Sequence, residues 1–199
     1  MENSPAVALL TSQDRRAATL AGDLLNQQLG QGMYSREGLL EDAADPTAGV
    51  WVARPPAPVG AAVARLLIPE DDAYYERFGA EATALFAGTV GSFEAVAVDP
   101  AWRRRGIAGR LTLTSLEWMR EQGCDAAVTI SWLSGRPDSS LPLFRGLGFH
   151  EGATVERFYE RESLEQGWSC PVCGRPCHCA ATFFWLALDQ LIGPVAQSR

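Results

Sequence analysis

The chain has no lysine. All 17 of its basic side chains are arginines, set against 24 acidic ones, and the formal net charge is −7. The missing lysine is a bias of composition without mechanistic weight. The missing positive excess does carry weight: it argues against nucleic acid as the main partner and favours a cationic one. Long apolar runs are also absent. The longest, Ala180 to Leu188, contains Thr182 and is far too short to span a bilayer. The start, MENSPAVALL, lacks a basic region followed by an apolar one, so no signal peptide is expected. There is no repeat and no low-complexity linker. These absences leave a soluble, cytoplasmic protein with no membrane contact as the expectation.

What is present is ordinary in bulk. The chain has 199 residues, 47% apolar and 21% charged, which suits one domain (1–199) with a real core. PAVALLTS, Pro5 to Ser12, reads as a short buried strand. Ala17, Leu20, Ala21, Leu24 and Leu25 then share a helical face that stops at Gly30. A second short helix is capped by Ser35 and ends before Pro46. GVWVARP and PVGAAVARLLIP are strands joined by a turn around Pro55 to Pro58. SFEAVAVDP is a strand, and Ile107 to Gln122 is a helix with Gly123 just beyond its end. DAAVTISWL, TVERFYER and AATFFWLAL are further strands, with a short helix in SSLPLFRGLGF. Strands and helices alternate first, then two strands meet as a hairpin, so the fold class is α/β with a mixed sheet of about seven strands.

Two stretches carry chemistry. In VDPAWRRRGIAGRL, a strand ends at Asp99-Pro100, a tight turn follows, and a helix begins near Gly106. A helix N-terminus has unpaired N–H groups and positive potential, so it suits an anion. Gly106, Ala108 and Gly109 permit close backbone approach, and Arg103, Arg104 and Arg105 add charge. The pattern suits a pyrophosphate. It is neither a Walker loop nor a dinucleotide fingerprint, because Gly-Lys-Ser/Thr and GxGxxG are both missing. A solvated basic helix start fits the spacing equally well.

The second stretch is CPVCGRPCHC, four of the five cysteines in ten residues. In a reducing compartment such a cluster favours metal over disulfides. Cys170-Pro-Val-Cys173-Gly174 has knuckle spacing, and Gly174 permits the positive-φ turn that aims N–H groups at sulfur. If the next strand begins there, Cys177 and Cys179 converge and His178 points away. Cys170, Cys173, Cys177 and Cys179 then form a closed structural Zn²⁺ site in a loop, 168–180, between the last two strands. A reducible disulfide pair and a rubredoxin-like iron site are the alternatives. Cys124 stands alone and reads as a small buried residue.

The order of these elements resembles the GNAT superfamily of N-acetyltransferases. Its signature, Arg/Gln-x-x-Gly-x-Gly/Ala, is matched by Arg103-x-x-Gly106-x-Ala108. Val98-Asp99-Pro100 matches its strand end, and LFRGLGF, Leu143 to Phe149, matches a later turn. The resemblance spans roughly Pro5 to Leu188. It implies a splayed mixed sheet with acetyl-CoA wedged between the fourth and fifth strands. The pantetheine would pair with Val96, Ala97 and Val98, and the pyrophosphate would lie on N–H groups from Arg104 through Gly106 and Ile107 to Gly109. It also implies an amine acceptor and leaves a homodimer open. A backbone N–H near Val98 would polarise the thioester, and a Glu acting through water would deprotonate the amine. Glu94 is the candidate. Simple alternation puts it on one face with Val96 and Val98, although a half-exposed strand-end Glu explains it too. The Tyr that usually protonates the leaving thiolate is replaced by Phe144. Tyr159, Ser139, Ser140 or water could substitute, or the thiolate could leave unaided. A catalytically silent acyl-CoA sensor and a zinc-dependent interaction module are the rival readings.

The acceptor is a small cationic amine or a peptide or protein amine on this reading. Two acidic groups, Glu70, Asp71, Asp72, Glu76 and then Glu160, Glu162, Glu165, would favour a cation if they flank its cleft; a solvated acidic face is the plainer account.

Overall fold

The computed structural model describes residues 5–54 and 57–191. Pro55 and Pro56 of the expected Pro-rich turn lie outside them. The strands are β1 (Ala6–Leu9), β2 (Ala48–Arg54), β3 (Gly60–Leu66), β4 (Val90–Val98), β5 (Ala126–Leu133), β6 (His150–Val155) and β7 (Ala180–Ala187). The helices are α1 (Arg15–Gln28), α2 (Arg36–Asp42), α3 (Asp72–Tyr75), α4 (Ala80–Ala84), α5 (Ile107–Glu121), α6 (Leu141–Gly146) and α7 (Glu160–Gln166). No described helix is long and apolar enough to cross a membrane.

All seven strands form one sheet in the order β1-β2-β3-β4-β5-β7-β6. Every neighbouring pair is antiparallel except β4 and β5, which are parallel and joined by the α5 crossover. One face packs on α5: Phe93, Val98, Ile107, Leu111, Leu116 and Phe184 are buried together there. The other face packs on α1 and α2 through Ala18, Ala21, Leu25, Leu39, Val63, Ala95 and Ala97. A third cluster sits under α3 and α4, around Tyr75, Phe78, Phe158 and Phe183.

The parallel pairing is short and matters most for the site. Val90 to Phe93 pair with Ala126 to Thr129, and the ladder ends there. From Glu94 onward β4 has no described partner on that side. Beyond Thr129, β5 continues with β7 alone. The sheet therefore opens into a wedge with one free strand edge along each arm.

Three expectations need correction. The first strand is shorter than Pro5 to Ser12 and is not buried. It is an edge, with Leu9 53% exposed, and only the residue after it, Leu10, enters the core. TVERFYER is not a strand. β6 ends at Val155, Arg157 takes a positive φ of 52°, and α7 begins at Glu160. Glu160 and Glu162 suit the positive end of α7, and Gly167 closes it at φ +77°. The third correction is the alternation along β4. Val63 pairs with Ala95 and Ala64 with Phe93, so Glu94 is an extra residue in a β-bulge. Phe93, Val96 and Val98 pack toward α5, and Ala95 and Ala97 pack toward α1. The bulge resets the period, and Glu94 does not share a face with Val96 and Val98.

Candidate active site

The turn from β4 to α5 is built from local forces. Asp99 accepts a hydrogen bond from the Ala101 N–H at 2.8 Å, and Pro100–Trp102 form one 3-10 turn. Arg104 and Gly106 both take positive φ, +60° and +73°. At Gly106 a Cβ would meet nothing within 4 Å, so glycine is there for conformation and not for space. Ile107 and Leu111 anchor the start of α5 in the core. No side chain caps this helix, so its first N–H groups face outward beside the exposed Arg104, Arg105 and Gly106. Gly109 is less constrained: a Cβ there would make only an ordinary 3.9 Å contact with Leu143.

The three arginines have separate fates. The Arg103 guanidinium donates to the Val98 carbonyl at 3.1 Å and to Gln28 Oε1 at 2.6 Å, and it pairs with Asp138. Asp138 is also held by Arg136 at 2.6 Å, and Arg136 reaches the Gln28 carbonyl at 3.4 Å. These contacts hold the carboxyl of Asp138 below the usual range, the Arg136 hydrogen bond first among the causes. Arg103 thus braces the mouth of the wedge, tying α1 and β4 to the loop after β5. Arg105 lies 5.0 Å from the Trp102 ring. Arg104 and Arg105 remain at the surface of the turn.

Glu94 lies on the face opposite Val96, under α2 and the loop that precedes it. Arg65 Nε approaches it at 3.5 Å, and Arg65 is held in turn by Asp42 at 2.6 Å. A third of the Glu94 side chain is open to solvent, yet protein crowds it on several sides, as at the floor of a cleft. Burial pushes its carboxyl above the ordinary value; Arg65 opposes this, and Asp42 and Asp71 add to it.

Tyr34 and Tyr74 lie within electrostatic reach of Glu94. Burial, and then the charge of Glu94, raises the Tyr34 phenol. Tyr74 is raised by burial and by Glu162 and Glu94. Tyr159 is raised by burial and by its nearness to Tyr74 and Tyr34. Tyr74 is 40% exposed and its ring meets those of Tyr75 and Phe158 at 5.5 Å, whereas Tyr75 is 4% exposed and its hydroxyl meets Ser92 Oγ at 3.1 Å. Sequence reasoning missed Tyr34, because nothing local marks a tyrosine before a helix cap as part of a distant site. Of the two acidic groups, Glu162 is buried. Its Oε1 accepts from Arg77 at 2.7 Å, and its Oε2 has no partner among the described residues. Glu160 and Glu165 pair with Arg157 and Arg161 on the surface.

Phe144 packs among Phe93, Phe149 and Phe184 at ring separations of 5.4 to 6.2 Å. It is 2% exposed and supplies no proton. Ser139 Oγ accepts from the Leu141 N–H at 3.2 Å, and Ser140 Oγ lies 2.8 Å from Ser131 Oγ on β5.

The four cysteines converge. Their sulfurs all lie within 4.8 Å of one another, with Cys170–Cys179 at 3.9 Å, Cys173–Cys177 at 3.7 Å and Cys173–Cys179 at 3.6 Å. At those separations no disulfide is formed. Sulfurs about 2.3 Å from a tetrahedral Zn²⁺ would stand about 3.8 Å apart, so the donor set fits that ion. Backbone N–H groups of Val172 and His178 point at Cys170 and Cys173 sulfurs, at 3.4 and 3.2 Å, which favours thiolates. His178 is turned outward toward Glu160, as the spacing implied. No strand brings Cys177 and Cys179 together, however, since β7 begins only at Ala180. Cys124 is buried; burial, and then Asp125, pushes its thiol up to about 11, so it is inert.

The comparisons agree with this architecture. The profile of the Acetyltransferase (GNAT) family matches residues 22–149, well over half of the chain. Arabidopsis thaliana NAA60, solved in complex with acetyl-CoA, superposes with a TM-score of 0.67 at 13% identity over 92% of this chain and 98% of that one. The ribosomal-protein-S18-alanine N-acetyltransferase from Escherichia coli gives 0.59 at 13% identity over 98% and 99%. The Drosophila melanogaster polyamine N-acetyltransferase gives 0.59 at 19% identity over 92% and 99%. No curated protein matches the chain by sequence. At these identities the structures speak to the fold alone. The family match, together with the wedge between β4 and β5 and the open N-terminus of α5, shows that the chain belongs to the GNAT family of acetyltransferases.

Proposed function

We propose that the protein moves an acetyl group from acetyl-CoA to a cationic primary amine by direct attack in a ternary complex. The observation that carries this reading is one wedge with two chemistries at its ends. The outward N–H groups of α5 suit a pyrophosphate, and the carboxylate floor at Glu94 suits an ammonium. The free edge at Val96, Ala97 and Val98 would pair with the pantetheine as an added strand. Arg104, Arg105, Gly106, Ile107, Ala108 and Gly109 would cradle the phosphates, with Arg103 as the brace that shapes the turn.

An ammonium cannot attack until it loses a proton. Glu94 would take that proton through water, a task its raised carboxyl suits. The neutral amine nitrogen then bonds to the thioester carbon, the C–S bond breaks, the thiolate leaves with the electron pair, and the nitrogen gives up its second proton to water. A thiol of pKa about 8.5 is a fair leaving group, so it can depart unaided and be protonated by water or by the Ser131–Ser140 pair. Tyr34, Tyr74 and Tyr159 would wall the acceptor, and Glu162 gives a second negative group near Tyr74. This favours a small acceptor with more than one positive charge.

The four thiolates would hold a structural Zn²⁺, which supplies a tetrahedral cross-link and leaves no open position for catalysis. Such a site persists in a reducing compartment, in keeping with a cytoplasmic protein. The buried Phe144 favours one second reading, an acyl-CoA sensor without turnover. CoA release, followed with a thiol reagent against a panel of amines, separates the two. Turnover of one amine class that collapses in Glu94→Gln supports the enzyme and its base. Tight acetyl-CoA binding with no turnover on any amine supports the sensor.

A further inference from the structure

The cysteine loop does more than close on itself. Just before Cys170, Ser169 forms an isolated antiparallel bridge with Gln31: the Gln31 N–H donates to the Ser169 carbonyl at 2.9 Å, and the Ser169 N–H donates back at 3.0 Å. Gln31 belongs to the loop between α1 and α2, on the β2–β4 side of the wedge, while Ser169 belongs to the β7 side. This bridge rejoins two halves of the sheet that part after Phe93 and Thr129. Its seat is tight. A Cβ on Gly30 would lie 2.6 Å from Met33 Sδ and 3.3 Å from Trp168 Cε3. Trp168 is 4% exposed and packs with Cys170, Cys177 and Cys179, and with Trp132 and Tyr159.

The same loop is tied down elsewhere. The Cys177 N–H donates to Ser163 Oγ on α7 at 2.9 Å, and the Phe158 N–H donates to the Cys179 carbonyl at 3.1 Å. Across the bridge, Asn26 of α1 clamps the backbone of Tyr34 with two hydrogen bonds, 2.7 and 2.9 Å, so the far end of the loop is anchored to the helix and residues 30–33 span the gap between. Between these anchors little else fixes residues 31–33. Gln31, Gly32 and Met33 are exposed, and the cluster under the cysteines holds only Trp168 and three of the thiols as fully buried members.

We infer that the metal-bearing loop sets acceptor recognition: through Trp168 and the Gln31–Ser169 bridge it fixes residues 30–33 of the α1–α2 loop, next to Tyr34 and the Glu94 floor. Trp168, Gln31 and Ser169 are positioning residues that touch neither cofactor nor reacting atoms. The β4–α5 turn is held mainly elsewhere, by Val98, Asp138 and α5, and meets this side of the wedge through Gln28 at the end of α1. This inference rests on the metal reading proposed above.

The test uses the full chain. Zinc content, hydrogen exchange at residues 29–35 and 99–110, acetyl-CoA affinity by calorimetry, and KM for spermidine as probe amine are measured for wild type, zinc-stripped protein, Cys177→Ser and Gly30→Val. Expected is one zinc per wild-type chain. Loss of zinc speeds exchange at 29–35 but not at 99–110. It raises the spermidine KM about 10- to 100-fold and leaves acetyl-CoA affinity within about twofold. Gly30→Val, which crowds Trp168 but spares the thiols, reproduces the KM rise with zinc still bound. Unchanged exchange at 29–35 on zinc loss overturns the inference, as does a parallel loss of acetyl-CoA affinity. A wild type that binds no zinc removes the metal reading and this inference with it. Absence of turnover on every amine, with exchange still zinc-dependent at 29–35, would strike the catalytic reading and leave the positioning role standing.

Discussion

The β4–α5 turn and the cysteine loop both border the wedge, but different forces hold them. The turn is held largely by its own backbone and by the main core, with Arg103 bracing it to Gln28 and Asp138. Asp99 closes it, two positive-φ residues bend it, and Ile107 and Leu111 anchor it in the main core. The cysteine loop has almost no core of its own. Trp168 and three buried thiols are its apolar content, and four converging sulfurs ask for an ion that the chain cannot supply. One region is specified by backbone preference, the other by a ligand set. The first should tolerate the loss of any single side chain better than the second.

The comparison can be broken or sharpened by experiment. The largest effect is expected between the two regions. Glu94→Gln should lower kcat/KM by about 10²- to 10³-fold and leave acetyl-CoA affinity unchanged, as steady-state kinetics and calorimetry would show. In the wild type, the rate should fall as pH drops through the Glu94 pKa, at a midpoint above the ordinary 4.5, because protonation removes the base. That acid limb should vanish in the variant. A carboxyl raised on folding contributes stability at low pH that is lost as pH climbs through its folded value, so Glu94→Gln should match or exceed the wild type in Tm at neutral pH.

Next comes the cysteine loop. Cys170→Ser should abolish zinc uptake, measured by elemental analysis, and lower Tm by several degrees with cofactor affinity preserved. On the turn, Gly106→Ala forces a side chain into the left-handed region at a cost of about 1 kcal/mol, which should appear as roughly fivefold weaker acetyl-CoA binding by calorimetry. The smallest effect is expected for Ser140→Ala. If water can protonate the thiolate, kcat should fall by no more than about threefold; a tenfold fall would make the Ser131–Ser140 pair the acid.

How much of this was legible in the sequence follows the same division. The β4–α5 turn and the cysteine knuckle are local, so both are visible in the sequence, the knuckle by its spacing and the turn by its spacing together with the order of the elements around it. Gly167 after ERESLEQ was also a local signal, a helix stop, and it was masked by the β-branched and aromatic residues of TVERFYER. What could not be read is non-local. The bulge at Glu94 depends on the register of β3. The role of Arg103 depends on Gln28 and Asp138, which lie far away in the chain. The Gln31–Ser169 bridge is a backbone pairing to which the side chains give no clue. Alternation along β4 misled for that reason: it assumes a regular ladder, and the site is built where the ladder breaks.

The sheet order has a consequence for how the protein is made. The last strand in sequence, β7, is an inner strand in space, inserted between β5 and β6. A ribosome that has delivered the β4–α5 turn has not begun the far arm of the wedge. The cysteines emerge just ahead of β7, and Gln31 must wait for Ser169. The β4–α5 turn and the Gln31–Ser169 bridge are therefore completed at different stages of synthesis, and the four thiols emerge before β7 can enter the sheet.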